Sequence, residues 1–190
     1  MPVGVERSSH PATTREPIIA WRAWTLTGRP DATGLRLRPV AGRRLPWPPM
    51  RPAQAACKHA KLHRAPDLAC SCGLHGMHGT EALRRTKNPT VLGTVALWGR
   101  VIEHDLGYRA EFAYPQRVRL VCLQCFWQRG RRGAVPEGVA VIDHGRMLPL
   151  CRDHLTTAVE YGLRSRGTLD AADVQSALQA TYAVDMLGSP

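Results

Sequence analysis

The sequence predicts an α+β fold, with a β-rich N-terminal module joined directly to a smaller C-terminal module and a closing helix. Three observations predict it. Runs rich in β-branched and aromatic residues dominate residues 18–123, while apolar residues recur at helical spacing only after 152 and after 171. All six cysteines fall in two clusters, each beside histidine. Within each cluster the spacing is that of metal ligands.

The second cluster has the clearer pattern. Cys122-Leu123-Gln124-Cys125 is followed by twenty-five residues and then by Cys151-Arg152-Asp153-His154. Two residues separate the members of each pair, so both side chains of a pair reach one ion. Three thiolates and one imidazole supply the tetrahedral soft or borderline set that zinc prefers. The first cluster offers Cys57, Cys70 and Cys72, with His59, His63, His75 and His78 nearby. His63 is the expected fourth ligand: five residues separate it from Cys57, and Ala65-Pro66 fixes the chain just beyond it. His59 is spaced too tightly, and His75 and His78 lie in a glycine-rich run. The remaining histidines are expected in solvent. Six thiolates and two imidazoles make two closed sites with no cysteine left over, so two structural zinc ions are expected. This use of cysteine fits a reducing, cytoplasmic setting.

The 190 residues are 44% hydrophobic, ordinary for a globular chain, and no apolar run approaches the roughly 18 residues that span a bilayer. The opening MPVGVERSSHPATTRE has no apolar core, so no secretory signal is expected there. No membrane partner is expected. The formal net charge is +11. Arginine outnumbers lysine 23 to 3, a skew of GC-rich coding, so the charge is the signal and not arginine itself. Residues 17–90 hold 13 basic and 3 acidic residues, whereas 168–190 hold three aspartates and no base. A polyanionic partner, DNA or RNA read with low sequence selectivity, would therefore meet the first half. The pattern assigns no oligomeric state.

In order along the chain, residues 1–16 are polar, carry two prolines and read as a disordered tail. A β-rich zinc-binding module is expected over 17–116. Ile18 to Thr27 reads as a strand. Leu35 and Leu37 alternate with Arg36 and Arg38 in a short amphipathic strand that Pro39 ends or confines to an edge. Trp47 to Pro52 is an extended connector, because its prolines forbid a helix interior. Thr80 is a candidate cap for a helix to about Thr86. Val91 to His104 reads as a long strand bent at Gly99, turning through Asp105-Leu106-Gly107 into a second strand, Tyr108 to Tyr114, with Ala110, Phe112 and Tyr114 on one face. Arg117 to Leu123 reads as a third strand, which delivers Cys122. The closing module is expected over 117–190. Val139–Ile142 and Met147–Leu150 form a hairpin with His144-Gly145 at its tip, where glycine tolerates positive φ. A helix follows from Arg152 to about Arg164, with Gly167 just past its end. A last helix runs from Ala171 to about Leu187, with Asp170 as N-cap, Leu169 stapled onto Val174, and Val174, Ala177, Leu178, Thr181 and Tyr182 buried.

The second cluster resembles a treble-clef zinc finger over Val118 to Arg164: Cys122 to Cys125 is its knuckle, residues 139–150 its hairpin, and Cys151 and His154 open its helix. Cys70-Ser71-Cys72-Gly73 resembles a knuckle shortened by one residue. Trp127 is expected to cover the second zinc. The treble-clef resemblance implies architecture and leaves function open, because this unit occurs in ribosomal proteins, nucleases and adaptors. Asp143-His144 resembles the Asp-His pair of HNH nucleases. It departs from that family in two ways: only six residues separate His144 from Cys151, and His154 is already committed to zinc. A turn is the better reading. Glu103, His104, Arg109 and Glu111 are expected to form a cross-strand ladder on a solvated face. The surrounding run, residues 98–111, resembles uncharacterised actinobacterial proteins.

The expected function is that of a zinc-stabilised, non-catalytic protein that binds nucleic acid through its basic module. Arg36, Arg38, Arg43, Arg44, Lys58, Lys61 and Arg64 are the candidate phosphate contacts. A protein-interaction adaptor, using the acidic last helix or the 91–114 hairpin, is the second reading. An HNH-like metal-dependent nuclease is the third.

Overall fold

The computed structural model describes residues 12–28, 34–41, 45–57, 63–127, 134–160 and 165–188. The fold mixes helix and strand and is strand-rich. The long first strand β1 (Ala12–Thr27) begins within the stretch expected to be tail, because Ala12, Thr13 and Thr14 already register with Val101, Arg100 and Gly99. A bulge between Thr14 and Ile18 separates this entry from the regular pairing of 18–24. The expected tail over 1–16 therefore stops short of Ala12, and residues 1–11 lie outside the described residues.

The main sheet is built on two long strands, β5 (Val91–His104) and β6 (Gly107–Leu120). β5 lies between β1 and β6, antiparallel to both. The expected bend at Gly99 is present as a bulge between Trp98 and Val101, with Gly99 at φ 77°. β6 is one strand where two were expected. A second bulge, where Thr94 and Val95 face Arg117 and Pro115, lets the chain pass proline without leaving the sheet. The bulges also break the alternation expected for Ala110, Phe112 and Tyr114. Ala110 and Ala113 are the fully buried positions, and Phe112 and Tyr114 are half-buried.

Four short strands complete this sheet. β2 (Arg36–Pro39) pairs with the end of β1 and forms an edge, as Pro39 requires. β3 (Ala53–Gln54) pairs with the middle of β6. β4 (Leu74–Met77) pairs with the start of β6 and touches β1 at Trp21, so β1, β5, β6 and β4 close on themselves. The closure leaves no room at Gly76: a Cβ there would stand 2.6 Å from the Ala20 Cβ and 2.8 Å from Leu97 Cδ1. A four-residue helix, α1 (Thr80–Leu83), follows β4. Its N-cap is Gly79, without a side-chain cap bond, so Thr80 is its first helical residue and the helix ends at Leu83, short of Thr86.

A second sheet has β7 (Gly138–Val141) at its centre, between β8 (Met147–Leu150) and β9 (Gly167–Asp170). The β7–β8 hairpin is the expected one. At its tip His144 (φ 59°, ψ 27°) and Gly145 (φ 69°) turn the chain left-handed. Gly145 also packs against the end of β1, where a Cβ would lie 2.9 Å from the Gly28 carbonyl oxygen. β9 was not expected. Gly167 starts a strand instead of merely following the helix α3 (Arg152–Glu160).

The last helix, α4 (Ala171–Tyr182), is capped by Asp170, whose carboxylate accepts from the backbone N–H groups of Ala172 and Asp173. It is shorter than expected. Ala183 adopts the left-handed conformation, and the chain continues into β10 (Asp185–Met186), parallel to β6. Leu169 packs against the core that holds Val174, as a hydrophobic staple would. Gln175 is buried in a position that apolar periodicity does not mark. Its amide accepts from Leu120 N–H at 2.8 Å and donates to the Val118 carbonyl at 3.1 Å, serving part of the β6 edge. Tyr182 is fully buried: its hydroxyl accepts from Leu37 N–H and donates to the Trp47 carbonyl, both at 2.9 Å. One apolar core thus joins residues from both halves, including Trp24, Leu37, Val95, Val139, Leu178 and Tyr182.

Candidate metal centres

The second centre assembles where three elements meet. Cys122 lies just past β6, and Cys125 sits in a short helix, α2 (Leu123–Trp127). Cys151 joins β8 to α3, and His154 lies in the first turn of α3. His154 Nδ1 is 3.4 Å from the Sγ atoms of Cys122 and Cys125 and 3.2 Å from that of Cys151; Cys125 and Cys151 are 3.7 Å apart, sulfur to sulfur. A tetrahedral zinc ion at ordinary Zn–S and Zn–N bond lengths would place sulfurs about 3.8 Å apart and sulfur from nitrogen about 3.6 Å. The donor set therefore fits the ion. Its three cysteines are buried in a small core of their own with Ala140 and Leu150, and Leu148, Leu155 and Ala158 pack against it. An ion pair between Glu137 and Arg152, 3.0 Å, ties the approach to β7 to the first turn of α3 and raises the Arg152 pKa. The side chain of Trp127, expected over this site, is outside the described residues.

The first centre is built from loops. Cys57 follows β3, His63 comes next in the described chain, and Cys70 and Cys72 precede β4. The Sγ atoms of Cys57 and Cys70 are 3.7 Å apart, and Cys72 Sγ is 3.4 Å from His63 Nε2. In each centre all four ligand atoms lie within 4.8 Å of one another. Both clusters can hold a metal ion, and donor types and distances are those of zinc. His75 and His78 are engaged elsewhere. His75 Nε2 is 3.2 Å from the Ser71 carbonyl oxygen, and His78 pairs with Glu103 at 3.1 Å. His59 lies outside the described residues. His75 is half-buried, contrary to the expected solvent position. Burial first, and then the Arg22 charge, push its pKa down to about 4, which keeps the imidazole neutral.

Electrostatics explain why a cation belongs in both places. Burial, followed by the neighbouring thiols, pushes the Cys125 thiol up to about 11. Burial and a hydrogen bond with Cys70 push the Cys72 thiol equally high. A backbone hydrogen bond from Cys72 pulls the Cys70 thiol the other way. Cys72 and Cys125 thus resist ionisation, and a divalent cation would remove that resistance by compensating the charge.

The polar residues of the β5–β6 hairpin do not form the expected cross-strand ladder. Arg109 and Glu111, together with Arg100, hold the loop of the first centre, whereas Glu103 pairs with His78. Arg109 Nη1 donates to the carbonyls of Asp67 and Cys72 at 3.1 Å, and also to that of Cys70. Arg100 reaches the carbonyls of Arg64 and Pro66 at 3.5 Å. Glu111 pairs with Arg64 at 3.0 Å and accepts from the Arg100 backbone N–H. The sequence brought these residues to notice, but strand register alone pointed them at one another. Their partners come from a loop with no periodic pattern.

No known protein family, curated protein or solved structure matches the chain.

The candidate nucleic-acid residues are divided by the fold. Arg36 and Arg38 lie on β2, and Arg64 is committed to Glu111. Arg43, Arg44, Lys58 and Lys61 lie outside the described residues. His144 is an exposed turn residue and belongs to no cluster of metal-ligating side chains among the described residues. No helix among the described residues is long and apolar enough to cross a membrane.

Proposed function

We propose that this is a zinc-structured, non-catalytic binding protein whose C-terminal centre is a treble-clef finger and whose basic half engages nucleic acid. One observation carries the structural part: each centre supplies four protein donors to a single point, leaving no coordination position for substrate or activated water. A catalytic zinc keeps a position open, whereas a closed set contributes folding free energy. The treble-clef reading is supported by the order knuckle, hairpin, helix, with the last ligand in the first turn of α3. It is also supported by the small separate core around that centre.

Nucleic acid as partner is supported by the excess of base over acid in residues 17–90. Phosphate binding releases condensed counterions, so affinity should fall linearly with salt on a log–log plot. Fluorescence anisotropy of zinc-loaded protein with labelled oligonucleotides at low and physiological salt tests the reading. Binding at micromolar protein in low salt, with a steep salt slope, supports it. No binding to any strand removes it and leaves an adaptor role ahead.

A further inference from the structure

The main sheet has two faces: the large core uses one, and the other is covered at Ala23 and Ala96 but open at Ile19 and Arg117. Pairing register fixes the faces, because partners across a ladder project to the same side. Trp24, Val91, Val95, Leu97 and Val118 line the core side. On the opposite side Trp21 registers with Thr94, which registers with Arg117. The next row joins Ala23, Leu92 and Arg119. Further along β1, Thr25 and Thr27 face Arg38 and Arg36 of β2.

Two strands thus bring four arginines, Arg36 and Arg38 from β2 and Arg117 and Arg119 from β6, onto one sheet face that carries a tryptophan on β1. One acidic residue extends these rows: Asp185 of β10 registers with Arg117 at the margin of the face. Trp21 is half-buried, and among the described residues its ring meets no other ring or cation, unlike Trp24, Trp47 and Trp98. Arg117 is exposed. Arg119 is drawn against the sheet: burial lowers its pKa, and its Nε–H is shut from water and meets no acceptor among the described residues. A nearby anion would compensate that guanidinium.

We propose that this face is the nucleic-acid platform and that its occupant is a single strand, with a base stacked on Trp21 and phosphates over Arg117, Arg119 and Arg38. The proposal rests on the nucleic-acid reading above and specifies where and how it operates. A ring set among cations suits a single strand, because stacking is sequence-tolerant and needs an unstacked base face, which a duplex hides. The row from Trp21 to Arg117 spans about 10 Å across strands, and Trp21 to Arg38 about 13 Å along β1. That is room for a few nucleotides.

The test uses the zinc-loaded full chain, with labelled single-stranded DNA, single-stranded RNA and duplex of mixed sequence, followed by anisotropy. The expected result is single-strand binding at least about tenfold tighter than duplex. Trp21→Leu should weaken single-strand binding about tenfold or more. Arg117→Ala should weaken binding to all strands and reduce the salt slope by about 1. Arg117 is exposed, so that variant keeps the proposal testable if Trp21→Leu fails to fold. Arg152→Ala, on α3, is the control and should change neither. Oligonucleotide binding that Arg117→Ala leaves unchanged, or that favours duplex, overturns the platform while the nucleic-acid reading stands. Absence of binding by the unaltered protein overturns both.

Discussion

Arg109→Met tests whether the hairpin holds the first metal centre or merely lies beside it. Methionine keeps an unbranched stem and removes the guanidinium. In the structure the Arg109 Nη1 group serves the carbonyls of Asp67, Cys70 and Cys72, so it fixes the backbone on both sides of two ligands. Its two N–H bonds are shared among three acceptors. Two charge-assisted bonds at about 1.5–3 kcal/mol each would give about 3–6 kcal/mol. The side chain is only half-buried and freed carbonyls can rewet, so roughly half that value, about 1.5–3 kcal/mol, is the expected loss. Spent on ligand geometry, this corresponds to roughly 10- to 150-fold weaker zinc binding at one centre of two. Chelator competition followed by absorbance should resolve one ion released early and one at the unaltered rate. Arg109→Lys should recover only part of the loss, because an ammonium lacks the planar fork. Unchanged release of both ions from Arg109→Met, at an unchanged melting temperature, would refute the reasoning.

Metal analysis of the purified protein should find two zinc ions per chain, and finding one or none would defeat the two-centre reading. Cys151→Ser should collapse the C-terminal sheet and α3, read by circular dichroism, since α3 is anchored mainly through the ion and a small core. Tyr182→Phe orphans the Leu37 N–H and the Trp47 carbonyl, and should cost about 2–4 kcal/mol. The zinc-saturated melting temperature should fall by roughly 5–15 °C. Burial raises the Tyr182 pKa, so its contribution is complete below the ordinary tyrosine value and is lost as pH rises through the raised one. The alkaline decline in stability should therefore be shallower in Tyr182→Phe. Gly76→Ala should destabilise by about 1–3 kcal/mol in thermal melts, because its Cβ would overlap Ala20 and Leu97.

The parts of this fold legible in the sequence were those governed by local rules. Cys122, Cys125, Cys151 and His154 announce themselves by spacing, and the structure brings them within ligand distance. The β7–β8 hairpin follows from two apolar runs and a glycine at the tip, and the α4 start follows from Asp170. Other features depend on partners remote in the chain. Separate strands were expected over Tyr108–Tyr114 and Arg117–Leu123, yet a bulge opposite Thr94 absorbs Pro115, and β6 runs through. Ala12 to Thr14 look like tail until β5 offers an edge to pair with. β9 is a strand only because β7 lies open beside it; most of its residues are exposed, so no apolar alternation marks it. Gln175 is a polar residue on a helix face, and only the β6 backbone explains its burial. Arg109 and Glu111 were noticed, but their partners came from the loop of the first centre.

The two centres share a donor set and differ in what surrounds it, and β6 explains the difference. Near its start, Arg109 and Glu111 grip the loop that presents Cys70 and Cys72. Past its end the chain enters Cys122 within two residues of Leu120. About a dozen strand residues separate these attachments, roughly 40 Å if fully extended and less where the bulges shorten the strand. The centres therefore tie opposite ends of one bar. The second lies in a small apolar core of its own, which holds it alongside the ion. The first has no such core: three of its four ligands are only half-buried, and arginine and glutamate from the hairpin do the work that packing does at the other end. Hydrogen bonds and ion pairs near solvent contribute less than packing and are screened by salt. The first centre should therefore be the one more sensitive to salt and to substitution in the hairpin. Between the two ends lie Arg117 and Arg119, on the stretch of β6 that is paired on both sides, by β5 and by β10, α4 or both. The proposed platform, which would have to present charges at fixed spacing, suits such a stretch, because strand pairing rather than side-chain packing sets the positions of its Cα atoms.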